Sequence, residues 1–134
     1  MALNLLDTSV CVDILRGTIP DTGLPPPVEC CLSAIVTAEL RTGLAKRPAD
    51  AVRERKLEAF IALFQVRDFD DAAARHYGDI RADLERRGVS IGPLDMLIAA
   101  HARSLGAVLV TGNVAEFSRV KGLEVVRVSA RRRP

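Results

Sequence analysis

Residues 107–111, "AVLVT", run apolar for four positions and close on a hydroxyl. A half-exposed strand alternates apolar with polar residues, so an unbroken apolar run of this length belongs to a sheet covered on both faces. The stretch follows Gly106, which closes a helical segment, and precedes "NVAEFSRV", which reads as a turn or a short helix. Working outward, "ALNLLD" near the N-terminus is a second short apolar run, followed by helical spacing in "TSVCVDILRG" up to Gly17. "TIPDTGLPPPVECC" is punctuated by prolines and reads as a connecting loop. "LSAIVTAELRTGLAKR" reads as a helix capped by Ser33, with Ile35, Val36, Leu40 and Leu44 along one side.

The pattern continues to the C-terminus. "ADAVRERKLEAFIALFQ" is amphipathic and assigns Val52, Leu57, Phe60, Ile61 and Phe64 to the core. "VRDF" is a weak strand. "DDAAARHYGDIRADLERRG" places Ala73, Tyr77, Ile80 and Leu84 on one helical face and stops at Gly88. A helix carrying "PLDMLIAA" comes next, and "LEVVRV" is a last strand. Short apolar strands alternating with helices predict a three-layer α/β/α domain around a mainly parallel sheet of four to five short strands. In such sheets ligands bind at the carboxyl ends of the strands, which puts Asp7 and the residues after "AVLVT" on one rim.

The 134 residues suit a single domain spanning 1–134, with 130–134 expected to be a disordered basic tail. Hydrophobic residues at 49% and charged residues at 27% make an ordinary globular composition. No apolar run approaches the roughly 18 residues needed to span a bilayer. "MALNLLDTSV" lacks the basic start of a secretory signal, so a cytoplasmic protein without membrane partners is expected. Cys11, Cys30 and Cys31 offer neither an even count nor a CxxC spacing, and read as small buried hydrophobes. Arg131–Arg133 supply the positive balance; without them 16 basic residues face 17 acidic ones, a net −1. Net charge therefore gives no nucleic-acid signature. Two local clusters, Arg41 with Lys46 and Arg47, and Arg53 with Arg55 and Lys56, read as solvated helix faces.

Three acids stand in apolar surroundings: Asp7 after "LNLL", Glu39 in "AIVTAEL" and Asp95 in "GPLDMLIAA". Each has an ordinary explanation. Asp7 can cap a helix, Asp95 gains from a helix dipole in its first turn, and Glu39 can face solvent. Brought together, they would form a pocket whose mutual repulsion calls for a cation, and hard oxygen donors select magnesium or manganese. Activation of water against a phosphodiester is the matching chemistry. Phosphate-loop, dinucleotide and nucleophile-elbow motifs are absent from the sequence. His101 reads as a packed or capping histidine rather than a base. A phosphatase using Asp7 as nucleophile wants an acid two residues on, where Ser9 stands.

"LLDTSVCVDILRG", "LSAIVTAELRTGLAK" and "IGPLDMLIAAHARSLGAVLVTGNVAEFSRVKGLEVV" resemble the three signature blocks of PIN-domain ribonucleases, and most of all the VapC toxins of toxin–antitoxin pairs. The resemblance spans about residues 3 to 128. It implies a PIN-like fold and magnesium- or manganese-dependent cleavage of RNA, with Asp7, Glu39 and Asp95 as metal ligands. The family's fourth polar position falls on Asn113, where an Asp is common, and Glu116 is near enough to substitute. Ser9 stands where the family usually has Asn, and its hydroxyl can still hydrogen-bond Asp7. The resemblance also implies a homodimer, a VapB-type antitoxin that inhibits the toxin and joins it in a higher assembly, and contact with operator DNA only through that antitoxin. The neutral Asn113 leaves open an alternative, a catalytically weak or inactive PIN-fold binding protein.

Overall fold

The computed structural model describes residues 2–19 and 23–128. The expected basic tail at 130–134 lies outside them. Strand β1 (Asn4–Leu6) is the centre of the fold, with β2 (Cys30–Ser33) on one side and β4 (Val108–Thr111) on the other. Its register sets Leu5 opposite Cys31 and Leu109, and Leu6 opposite Val110. All of β2 and β4 is buried, which is the environment that an apolar run such as "VLVT" requires. β3 (Gln65–Arg67) and β5 (Val125–Arg127) complete a five-stranded, wholly parallel sheet in the order β3-β2-β1-β4-β5. As edge strands they are wetter: Val66 and Val126 are exposed.

Seven elements join the strands. Only Asp7 separates α1 (Thr8–Leu15) from β1, and α2 (Ala34–Ala45) follows β2 directly. α3 (Ala51–Ile61) leads to β3, then α4 (Asp71–Arg86) and α5 (Pro93–Ser104) carry the chain back to β4, and α6 (Val114–Phe117) precedes β5. A single-turn 3-10 segment, Pro27–Glu29, precedes β2. Helix starts follow capping chemistry. Asp7, Ser33, Asp50 and Asp70 each accept a backbone N–H of the first turn, and Pro93 starts α5. Gly88 and Gly106, with φ of 67° and 61°, follow α4 and α5 in the left-handed region that other residues enter only at a cost.

Right-handed crossovers place α1–α3 on one face of this sheet order and α4–α6 on the other. The packing agrees: α1 lies against α2 and α3, and α4 lies along α5. This is the expected three-layer α/β/α domain. One continuous cluster of buried side chains runs through it, including Leu5, Val36, Leu84, Ile98, Leu109 and Phe117. All three cysteines are buried free thiols. Burial pushes the Cys11 thiol up and raises that of Cys30 to about 11, so neither is poised for nucleophilic chemistry.

Two expectations need correction. The segment read as a loop through "ECC" ends instead in β2, and Ser33 closes that strand while capping α2. Four residues are too few to show a period, and pairing with β1 and β3 decides the matter. Val52, assigned to the core, is 64% exposed, because the first turn of α3 projects beyond the layer that buries Leu57, Phe60 and Ile61.

Leu109 is fully buried in β4. Leu109→Ala is expected to lower unfolding free energy by about 2–5 kcal/mol, read from the midpoint of a urea titration.

Candidate active site

The sheet order fixes where a site can form. The chain steps from β1 outward to β2 and β3, then crosses back to β4 on the far side of β1. Loops after β1 and β4 therefore diverge and open a crevice at their carboxyl ends, the usual ligand position in open parallel sheets. Asp7 emerges from β1 into this crevice, and Gly112, Asn113 and Glu116 follow β4.

Asp7 is 3% exposed, so its carboxylate needs internal partners. One oxygen accepts the Ser9 hydroxyl at 2.8 Å and the Val10 N–H at 3.0 Å; the other accepts the Thr111 hydroxyl. The bond expected from Ser9 is present. Thr111 Oγ1 also accepts the Asn113 N–H at 2.9 Å, so one hydroxyl ties the acid of β1 to the loop leaving β4. Glu39, half-buried on α2, accepts the Thr8 hydroxyl at 2.6 Å. The first turn of α1 thus restrains the acids of two elements.

Asp95 sits in the first turn of α5, half-buried. Burial pushes its carboxyl up to about 7, followed by the charge of Glu116 and a hydrogen bond with it, then the charges of Glu39 and Asp7. Glu116 accepts the Gly92 N–H at 2.8 Å and the Asn113 side-chain amide at 2.6 Å. Gly92 lies directly against both acids: a Cβ there would stand in ordinary contact, 3.4 Å from Asp95 Oδ2 and 3.6 Å from Glu116 Oε1.

The fold therefore gathers Asp7, Glu39 and Asp95 around one crevice and adds Glu116. Asn113 is on the same loop but is exposed, with its amide turned to Glu116. Thr8, Thr111 and Gly92 went unnoticed in the sequence, where a hydroxyl beside an acid or at a strand end carries no distinguishing pattern. His101 is buried and lies 2.7 Å from the Ser33 hydroxyl, with its ring edge-on to Phe69. Burial lowers its pKa, as befits a packed histidine.

Among the described residues, no three acidic, histidine or cysteine side chains stand close enough as placed to hold an ion between them. The donor set nonetheless fits a hard divalent cation. Glu116, Glu39 and Asp7 each add to the burial that holds the Asp95 carboxyl up, so hard oxygen donors and negative charge that a divalent cation would offset act on one another here.

That displacement has a consequence for stability. A folded-state pKa near 7, above the unfolded carboxylate value, gives Asp95 a stabilising contribution that is complete below the unfolded pKa and is lost as pH rises through about 7. In chelator, Asp95→Asn should raise Tm at pH 8 and change it little at pH 4.5. Equal shifts at both pH values in a thermal melt would contradict this.

Comparison with known proteins agrees with this arrangement. Residues 5–123 match the PIN domain family. The chain is 37% identical over 122 residues to the tRNA(fMet)-specific endonuclease VapC of Shigella flexneri, covering 89% of this chain and 92% of that protein. It superposes on the DNA-bound VapBC structure from Salmonella typhimurium with a TM-score of 0.87 at 36% identity, over 95% of this chain and 98% of that one. VapBC-5 of Mycobacterium tuberculosis, described as a member of the VapBC family of toxin-antitoxin systems, superposes with a TM-score of 0.74 at 25% identity, over 96% and 100% of the two chains. A crevice of acids at the switch point of a parallel sheet and matches along almost the entire chain lead to one assignment: this chain belongs to the PIN-domain family, among the VapC ribonucleases.

Proposed function

We propose that the protein is the toxin of a toxin–antitoxin pair, an endoribonuclease that hydrolyses RNA phosphodiesters at the crevice between β1 and β4. The convergence of Asp7, Glu39, Asp95 and Glu116 from four separate elements carries this reading. Nuclease relatives covering nine-tenths of the chain support it.

Asp7, Glu39 and Asp95 would hold magnesium or manganese, with Glu116 as the fourth acid and Asn113 orienting it through the 2.6 Å amide contact. When bound, such an ion would supply activation of water and charge to stabilise the leaving oxygen. The chain's own contribution is positional. Thr111, Ser9 and the Val10 N–H fix both oxygens of Asp7, and Thr8 turns Glu39 inward. A fourth carboxyl at Glu116 weighs against the catalytically inactive alternative, which drew its support from the neutrality of Asn113.

Purified protein should cleave single-stranded RNA with magnesium and stop when EDTA is added. Asp7→Asn, Glu39→Gln and Asp95→Asn should each abolish cleavage, and Glu116→Gln should weaken manganese binding about 10–100-fold in calorimetry. Parent-like cleavage by Asp95→Asn would remove that residue from the site.

The partner we propose is a VapB-type antitoxin, with operator DNA reached through it, as the VapBC structures similar to this chain suggest. An antitoxin arginine suits the crevice, because a guanidinium pairs with carboxylates through two parallel hydrogen bonds. No described helix is long and apolar enough to cross a membrane. The toxin alone is proposed to be a homodimer in the cytoplasm. Sedimentation velocity at micromolar concentration without antitoxin should show a dimer, and a monomer there would overturn this.

A further inference from the structure

A polyanion approaching four carboxyl groups is repelled, so a nuclease of this design needs positive charge beside the acids. A groove of about 420 Å³ between α1, α2 and α3 meets that need. Glu39 lines the groove and is also one of the site's acids, so groove and crevice share that residue. Arg16, Arg47, Arg53 and Lys56 line it as well, from the end of α1, the segment after α2, and α3. All four are exposed. Among the described residues Arg16, Arg47 and Lys56 form no salt bridge, and Arg53 has only a 3.6 Å contact with Asp50. The floor is apolar, including Val12, Leu40 and Leu57.

Resting on the nuclease reading above, we infer that this groove is the track for the RNA strand on one side of the scissile phosphate. Arg16, Arg47, Arg53 and Lys56 would take backbone phosphates, while the apolar floor would take base or ribose faces. The charge pattern favours a nucleic-acid strand. The four cations sit on three different segments around the groove, with Glu39 the single acid in its lining, and Glu39 is shared with the crevice where a phosphodiester must arrive. Long, exposed and mostly unpaired basic side chains can follow a flexible backbone without losing an internal partner. Single-stranded RNA is bound in this way elsewhere, by a positively charged groove with stacking surfaces along it. The clusters that looked like two solvated helix faces in the sequence thus contribute Arg47 from one and Arg53 and Lys56 from the other to a shared rim.

The test is RNA cleavage with magnesium across a series of salt concentrations, using Arg47→Gln, Lys56→Gln and their double variant. Arg75→Gln/Arg86→Gln, on exposed positions of α4, serves as the reference. The inference expects KM to rise several-fold with a smaller change in kcat. It also expects the slope of log(kcat/KM) against log salt to become shallower by about 0.7 per side chain, about 1.4 for the double variant. The reference variant should keep the parent slope. Parent-like KM and salt slope in the double variant would overturn the inference while leaving the nuclease reading intact. A parent that cleaves no RNA would overturn both. If the groove variants cleave like the parent but lose affinity for a glutamate-rich amphipathic peptide, the groove is a peptide site and the RNA track is wrong.

Discussion

Repulsion among Asp7, Glu39, Asp95 and Glu116 is the constraint to which the rest of this molecule answers. Carboxyl groups that influence one another at a partly buried edge interact more strongly than they would in water, and here they add to the burial that pushes Asp95 up to about 7. They stay together because each is fixed by a different rigid element. Asp7 closes the central strand, Glu39 rides on α2, Asp95 starts α5, and Glu116 follows β4. Backbone N–H groups and hydroxyls then satisfy oxygens that could otherwise turn away. The buried parallel sheet supplies the stability against which this local cost is held.

The donors around the acids outline a division of labour. Thr111 matters because it is shared: its hydroxyl donates to Asp7 and accepts from the Asn113 backbone, so the two sides of the crevice cannot move independently. Glu116 plays a similar part on the other wall, bridging the start of α5 at Gly92 and the loop at Asn113. Asn113 therefore supports an acid through its side-chain amide. Farther out, a basic groove beside Glu39 complements the acidic crevice, an arrangement suited to a substrate that is itself a polyanion.

Much of this was legible in the residues. The apolar "AVLVT" predicted a strand buried on both faces, and β4 is that strand. Asp7, Glu39 and Asp95 were conspicuous because a carboxylate is costly among apolar neighbours, and that cost is a local property. Ser9 was placed correctly because its bond to Asp7 spans two residues. The helix stops at Gly88 and Gly106 were equally local, a matter of backbone freedom.

What the chain alone could not reveal depends on partners distant in sequence. β2 exists because Cys31 and Leu32 pair with β1 and β3, and no period can emerge from four residues. The exposure of Val52 depends on where α3 overhangs its layer. Thr111 reaches Asp7 across 104 residues, and Glu116 reaches Gly92 across 24. The sequence determined which side chains were too polar for their neighbourhood and which segments had to be buried, since both follow from the chemistry of adjacent residues. The tertiary structure decided which acids face one another, which donors hold them and which cations stand beside them, because hydrogen bonds and charge interactions act through distance in space.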